Sequence, residues 1–426
     1  MSEGQAARAA ALAVLSDVLR KRRPLDAALE AMPGLPPRDA GFARAIASET
    51  MRRFGQIEAL IRHFVPKSPS PHKSGPTLEI LFAGACELLF LDVAPHAAVD
   101  AANRLAQADG KAVHFKSLIN AVLRRIAREG QGVVAAQDAA RLNTPDWLWL
   151  SWCEAYGDDV ARAIAGAHGR QPPVDIVLKA TDAIAPAGMR LFDNVVRLAD
   201  AAHLDALPGF VEGDWWVQDA AATLPARLLG DVRGAHVIDL CAAPGGKTMQ
   251  LAAMGALVTA VEREPQRLVR IQENLSRTKL EAKLVQADVR DFKPEALAPF
   301  VLLDAPCTAT GTIRRHPELP WIKSASDVTL CEQAAGELLD AAANMVAPGG
   351  ALVFAVCSLE PQEGIVQAEA FLSRDARFVR EPVKAQDVFG LSELISAEGD
   401  LRTLPCHLSD KGGMDGFYAA RFRRNS

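Results

Sequence analysis

The sequence contains no Cys-x-x-Cys pair and no strong excess of either charge, and no segment approaches the roughly 18 uninterrupted apolar residues of a membrane span. Each absence excludes something. The seven cysteines are Cys86, Cys153, Cys241, Cys307, Cys331, Cys357 and Cys406, an odd number without paired spacing. That argues against a disulfide framework and a zinc site, and for a reducing, cytoplasmic setting. The nine histidines do not cluster with these cysteines, so no metal is expected. The best apolar run, Ile80 to Val93, is short and carries Glu87 and Asp92, so no membrane partner is expected. Met1-Ser-Glu-Gly-Gln5 leads into neither a positive patch nor an apolar core, so no secretory signal is expected. No long repeat or low-complexity tract appears.

What is present is a globular composition, 49% hydrophobic and 23% charged, spread over 426 residues. That is too long for one ordinary core, so two or three domains are expected. The net charge of −5 is uneven. Residues 1–130 carry 18 Lys and Arg against 13 Asp and Glu, leaving the remainder ten acids in excess. A mildly basic front on an acidic body is compatible with RNA binding.

Three regions follow from the periodicity. Residues 1–135 read as helices: Ala10–Leu19, Ala43–Phe54, Ile57–Phe64 and Ser117–Arg128 repeat apolar residues at three and four. Arg124, Arg125 and Arg128 fall largely outside the apolar stripe of the last. Lys67–Pro76 reads as a loop and Gly130–Gln137 as a linker. Residues 144–215 read as a small α/β subdomain with two helices and short strands such as Asp175–Lys179. Trp215 and Trp216 are expected to pack its junction. From 216 to 426, strands and helices alternate, which predicts a parallel, doubly wound α/β sheet, Rossmann-like. Its strands are expected at His236–Leu240, Leu257–Val261, Ala282–Gln286, Phe300–Leu303 and Ala351–Val356. Leu401–Cys406 and Gly416–Arg423 are expected to close it as an antiparallel pair.

In such a sheet the carboxyl ends of the strands face the ligand crevice. The strongest local motif is Val237-Ile-Asp-Leu-Cys-Ala-Ala-Pro-Gly-Gly-Lys-Thr248, a strand entering a Gly-rich turn and then a helix. Glycines let backbone approach a ligand, and the helix start offers free N–H groups. A P-loop would need glycine five positions before Gly246, and Cys241 stands there; under that reading Val301-Leu-Leu-Asp304 would serve as a Mg²⁺-binding strand. An S-adenosylmethionine site needs the Gly-rich turn, an acid ending the next strand for the ribose hydroxyls, and often a second acid for the adenine edge. Glu262 and Asp288 fall in that order at successive strand ends. Either acid alone reads as a solvated loop carboxylate; their joint order favours the methyl donor.

Two further strand ends carry thiols: Phe300-Val-Leu-Leu-Asp-Ala-Pro-Cys307 and Ala351-Leu-Val-Phe-Ala-Val-Cys357. A methyl donor beside a strand-end Pro-Cys points to methylation of a pyrimidine carbon. C5 of cytosine is not nucleophilic until a thiolate adds to C6; a base must later remove the C5 proton. An acidic group at the base edge completes the need, and Asp304 is placed for it. From the residues alone, either thiol could be the nucleophile; in DNA 5-methylcytosine enzymes, which the Pro-Cys turn also resembles, the Pro-Cys thiol takes that role. Cys86, Cys153, Cys331 and Cys406 read as inert packing thiols.

Cys241-Ala-Ala-Pro-Gly-Gly-Lys-Thr248, Leu303-Asp-Ala-Pro-Cys-Thr-Ala-Thr-Gly311 and Phe354-Ala-Val-Cys-Ser358 resemble the RNA 5-methylcytosine methyltransferases of the NOL1/NOP2/Sun family. Ile313-Arg-Arg-His-Pro317 and Asn120-Ala-Val-Leu-Arg-Arg125 look like its bacterial Sun/Fmu-type branch, whose helical front domain is similar to NusB. The resemblance implies a 16S rRNA cytosine-C5 methyltransferase using S-adenosylmethionine. It implies Cys357 as the nucleophile, Cys307 as the thiol assisting product release, and Asp304 at the base edge and methyl-donor region. Cys241, Ala242, Ala243, Pro244, Gly245, Gly246, Lys247, Glu262 and Asp288 would hold the methyl donor. Glu262 stands where the family usually has Asp, Val356 where it has Thr, and Pro361-Gln-Glu-Gly364 replaces a more acidic stretch, with Glu363 surviving as a carboxylate. Arg314, Arg315 and His316, beside the Asp304–Cys307 loop, are expected to contact RNA phosphates. A monomer is expected. The competing readings are a non-catalytic RNA-binding assembly factor and a tRNA cytosine-C5 methyltransferase.

Overall fold

The computed structural model describes residues 4–67, 69–180, 183, 185–201 and 203–426; Ser68, in the expected Lys67–Pro76 loop, lies outside them. The chain divides into two compact units, residues 1–170 with 313–324, and residues 171–312 with 325–426.

The first unit is all helical. Its central helix, Thr77–Phe90, is apolar nearly all round and buries Ile80, Leu81, Phe82, Ala85 and Cys86. Helices Gln5–Lys21, Pro37–Arg52, Phe54–Phe64, Pro95–Ala108 and Lys116–Ala135 surround it. The polar groups this central helix buries are paired: Arg8 reaches Glu87 at 2.6 Å and Arg20 clamps Glu79 with both arms of its guanidinium. The expected linker at Gly130–Gln137 is instead the last turns of the Lys116–Ala135 helix. A Cβ on Gly130 would sit 3.0 Å from an Ile126 methyl and 3.2 Å from a Leu89 methyl, a close packing contact at a glycine that in sequence looks like a flexible joint. Helices Asp146–Tyr156 and Asp158–His168 also belong to this unit rather than to the α/β subdomain expected at 144–215. Among the described residues no helix is long and apolar enough to cross a membrane.

The second unit holds two sheets. The strands, in chain order, are β1 Asp175–Leu178, β2 Gly188–Phe192, β3 Val195–Leu198, β4 Trp215–Val217, β5 His236–Leu240, β6 Leu257–Glu262, β7 Lys283–Gln286, β8 Ala298–Asp304, β9 Val346–Val356, β10 Phe378–Arg380, β11 Leu401–Thr403 and β12 Phe417–Arg424. The first four make an antiparallel sheet ordered β2-β3-β1-β4. The boundary expected near 215 therefore runs through a strand. Trp215 buries against Ile176 and Leu178 of the small sheet, while Trp216 joins the core of the large one. Both indole N–H groups are satisfied, by the Pro208 carbonyl and the Gln218 side chain, each at 2.8 Å. These two rings are packing residues, as expected.

The large sheet is ordered β10-β12-β9-β8-β5-β6-β7, with β11 on β12. The five strands β5 to β9 run parallel, and β10, β11 and β12 close one side antiparallel. Strands buried on both faces must be apolar at nearly every position. Thus Val237, Leu302 and Val353 pack one face, while Ile238, Leu240, Leu303 and Phe354 pack the other against Leu338, Leu339 and Phe371 of the covering helices. Strand order reverses between β5 and β8, and a doubly wound sheet opens its crevice at that point.

Gly311 marks a place where two backbones touch. Gly416 N donates to Gly311 O at 2.8 Å, and a Cβ on Gly311 would fall 1.9 Å from Gly416 O. Neither backbone has room to yield. Gly311→Ala is expected to destabilise the protein by about 1–3 kcal/mol or more, the cost of overpacking; denaturant unfolding against the wild type measures it.

Candidate active site

Four strand ends build the site. Parallel pairing sets Leu240 of β5 beside Val261 of β6 on one side and Leu303 of β8 on the other, and Asp304 beside Ala355 of β9. The residues that follow each strand therefore emerge on one edge.

After β5 the chain turns sharply. Cys241 adopts φ 59° and Gly245 φ 101°, the left-handed region, before the helix Gly246–Ala253 begins. A cysteine in that conformation is strained by about 1–2 kcal/mol. Its thiol is buried, and burial, then Asp304, Glu262 and Asp239, push its pKa up to about 12. Cys241 is thus a protonated packing group, distinct from the two strand-end thiols. Beneath the turn, the Thr248 hydroxyl donates to Asp239 at 2.6 Å. Asp239 was not singled out from sequence, because an acid inside an apolar strand reads only as an interruption.

Glu262, 3% exposed, ends β6 with its carboxylate turned toward the Gly-rich turn. It lies 3.4 Å from Ala243 N and accepts from Glu264 N at 3.0 Å. Asp288, beyond β7, is gripped by Arg290 through two contacts of 2.9 and 2.8 Å. That ion pair, reinforced by a backbone bond from Arg290, holds its carboxyl well below the usual carboxylate range. The donor set of the turn, free N–H groups at a helix start with a buried carboxylate opposite, fits a ligand carrying vicinal hydroxyls.

At the end of β8, Asp304 accepts from the Lys247 ammonium at 2.7 Å. Lys247 is 8% exposed and lies 5.0 Å from the Phe417 ring centre. Burial by itself would lower its pKa; Asp304 above all, with Cys357 and Asp239, more than reverses that, and the net direction is upward. Lys247 is therefore a fixed cation between the two turns. Sequence reasoning placed it only in the methyl-donor loop.

The two expected thiols meet: Cys307 Sγ and Cys357 Sγ are 3.5 Å apart. The hydrogen bond between them, then burial and the charges of Cys357 and Glu363, raise the Cys307 thiol well above its ordinary value. Cys307 therefore keeps its proton at neutral pH. Behind the pair, Glu363 is 1% exposed and accepts from Thr308 N at 2.7 Å, from the Thr308 hydroxyl at 2.5 Å and from the Ser358 hydroxyl.

Arg314, Arg315 and His316 belong to the other unit. Segment 313–324 packs within the helical unit. Arg314 is 2% exposed, so its expected contact with RNA phosphate is corrected: the guanidinium is inside the fold. Its carbonyl accepts from Arg52 at 2.8 Å, and Arg52 also reaches the His168 and Arg170 carbonyls. Farther along, buried Glu318 accepts from Leu25 N, and Arg22 binds the Ile322 carbonyl. Arg315 is half-buried, and His316 lies 3.6 Å from Asp26. A charged run beside a loop carries no signal of which face will be covered.

Asp239 supplies a pH test. It is fully buried, and burial, opposed by the Thr248 bond and aided by Asp304, raises its pKa from 3.8 to about 7. The native protein then holds a proton that the unfolded chain has released. This contribution to stability is full below about pH 4 and is lost as pH rises to about 7. Asp239→Asn keeps an acceptor for Thr248 but removes the titration. Its stability relative to wild type is expected to climb between about pH 4 and 7, by up to about 4 kcal/mol. Denaturant unfolding across that range reads the difference; a constant offset would refute it.

Comparison with known proteins follows the same lines. A family described as 16S rRNA methyltransferase RsmB/F matches residues 226–423, and the NusB family matches residues 5–128. The ribosomal RNA small subunit methyltransferase B of Pseudomonas putida is 34% identical, covering 97% of this chain and 97% of that protein. The crystal structure of PH0851 superposes with a TM-score of 0.78 at 22% identity, covering 100% of this chain and 99% of its own. NSun6 from Pyrococcus horikoshii, solved with SFG, gives a TM-score of 0.56 at 17% identity over 66% of this chain and 98% of its own. At these identities the two structures speak for the fold.

Proposed function

Because the chain belongs to the RsmB/F family of 16S rRNA methyltransferases and carries a NusB-family domain ahead of its catalytic unit, we propose that it methylates C5 of a cytosine in 16S rRNA through a covalent bond to Cys357. Its standing as an rRNA methyltransferase rests on the family. The position, the thiol chemistry and the residue roles are our reading.

The 241–247 turn would hold S-adenosylmethionine, with Glu262 for the ribose hydroxyls and Asp288 nearby, and the bound donor would supply an electrophilic methyl group. The protein's part is to make C5 nucleophilic. The Cys357 thiolate adds to C6, which moves electron density to C5. Lys247 lies within electrostatic reach of Cys357. Asp304, anchored through one oxygen on Lys247, has the other for the amino edge of the base. Cys307 is disfavoured as the attacking group because its proton is held, and it sits where the carbon–sulfur bond to Cys357 must later break. It therefore serves product release: once Cys357 is bonded to carbon its charge and hydrogen bond no longer hold the proton on Cys307, which can ionise and take the C5 proton while the C6–S bond breaks and its electron pair returns to Cys357. The single observation that carries this division is the 3.5 Å thiol pair, in which the Cys307 thiol is raised by its partner, by burial and by Glu363.

The test is incubation with labelled S-adenosylmethionine and rRNA from cells lacking the protein. Label should appear in 5-methylcytosine; donor binding without labelled cytosine would refute the proposal. Cys357→Ala is expected to abolish both turnover and adduct formation on 5-fluorocytosine RNA. Cys307→Ala is expected instead to accumulate a stable protein–RNA complex, visible as a denaturation-resistant band. The reverse pattern would exchange the two roles.

A further inference from the structure

The two thiol loops do not touch only at sulfur. Thr308 follows Cys307 and Ser358 follows Cys357, and both turn away from the thiols toward one buried carboxylate, Glu363. One Glu363 oxygen takes the Thr308 N–H at 2.7 Å; the other takes the Thr308 hydroxyl at 2.5 Å and the Ser358 hydroxyl. A second layer of bonds runs the same way. Gly311 N donates to Cys357 O at 3.0 Å, Thr310 and Ser358 hydroxyls lie 3.2 Å apart, and Leu359 N donates to the Thr310 hydroxyl at 2.9 Å. Glu363 binds the residue next to each cysteine with one side chain.

We propose that Glu363 is a positioning residue that sets the spacing between Cys307 and Cys357, so that release can follow attachment at the same carbon. This rests on the thiol roles proposed above, but the spacing itself is a property of the protein alone. A carboxylate suits this place. The Thr308 N–H, the Thr308 and Ser358 hydroxyls and the Cys331 thiol all donate to it, and a carboxylate offers acceptors on both oxygens with no hydrogen of its own. An amide would keep one accepting oxygen for the Thr308 N–H and turn its NH₂ toward the hydroxyls, which would have to reverse and accept, so bonds that now converge on a charge would become weaker neutral ones. The position also has an electrostatic consequence. The Glu363 charge is among those raising the Cys307 thiol, so the clasp that spaces the sulfurs also helps keep the proton on Cys307. Helix Ile365–Arg374 follows directly, and its Phe371 is fully buried, so the carboxylate is mounted on a rigid element.

The experiment reads the spacing without reading catalysis. A trivalent aryl arsenical bridges two thiols only when both sulfurs can reach one arsenic, and peptide mapping identifies a bridge between Cys307 and Cys357. In the full-length wild type this bridge is expected to form readily. Glu363→Gln is expected to slow its formation at least tenfold while the protein still unfolds in one cooperative transition. In methyl transfer the same variant should lose kcat by a similar factor while KM for RNA and for S-adenosylmethionine stays within about twofold. Thr308→Val combined with Ser358→Ala removes the hydroxyl donors and leaves the carboxylate; it should reproduce the slow bridging. Thr308→Ser, which keeps the hydroxyl, should bridge as wild type does. Normal bridging in folded Glu363→Gln overturns the proposal whatever the activity. If that variant does not fold, normal bridging in the Thr308→Val/Ser358→Ala protein overturns it equally. Failure of the thiol roles would appear separately, as wild-type bridging without an RNA adduct.

Discussion

The parallel ladder between β8 and β9 is the constraint on which the site depends. It sets Leu303 against Phe354 and Asp304 against Ala355, so both strands end at one level. Because side chains alternate along a strand, a slip of one residue would send either turn to the wrong face. The apolar faces prevent that slip: Leu303 and Phe354 share one core while Leu302 and Val353 share the other. Core packing is thus the force that brings two cysteines fifty residues apart in sequence to 3.5 Å.

Around that pair the charges form an ordered series. Asp304 holds Lys247, Lys247 faces Cys357, Cys357 shares its hydrogen bond with Cys307, and Glu363 anchors both loops from behind. Each buried charge has a partner, which is the condition under which a low-dielectric site tolerates charge at all. The same low dielectric bears on the thiols: the hydrogen bond to Cys357, burial and the charges of Cys357 and Glu363 raise the Cys307 thiol.

Much of this was legible in the chain. The α/β alternation, the Gly-rich turn at 241–247 and the acids Glu262 and Asp288 could be read because strand–turn–helix punctuation and strand-end placement are local patterns. The helical front could be read from its period. The domain seams could not: Gly130 looks like a joint and is a packing contact, and β4 spans the expected boundary near 215. Lys247 and Asp239 were legible as motif members but not as the cation of the site and the titrating base of the turn. Glu363 was visible only as a carboxylate of uncertain role.

By itself, then, the sequence determined the class of chemistry, since a methyl-donor turn, an Asp-Ala-Pro-Cys loop and a second strand-end cysteine are chemical facts written in residue order. Tertiary structure alone decided which of those parts meet. Only folding could bury Arg314, turn Thr308 and Ser358 onto one carboxylate, and make Cys307 a worse acid than an ordinary thiol. The physical reason is that burial, distance and partner charge are sums over residues remote in sequence. No local pattern records them.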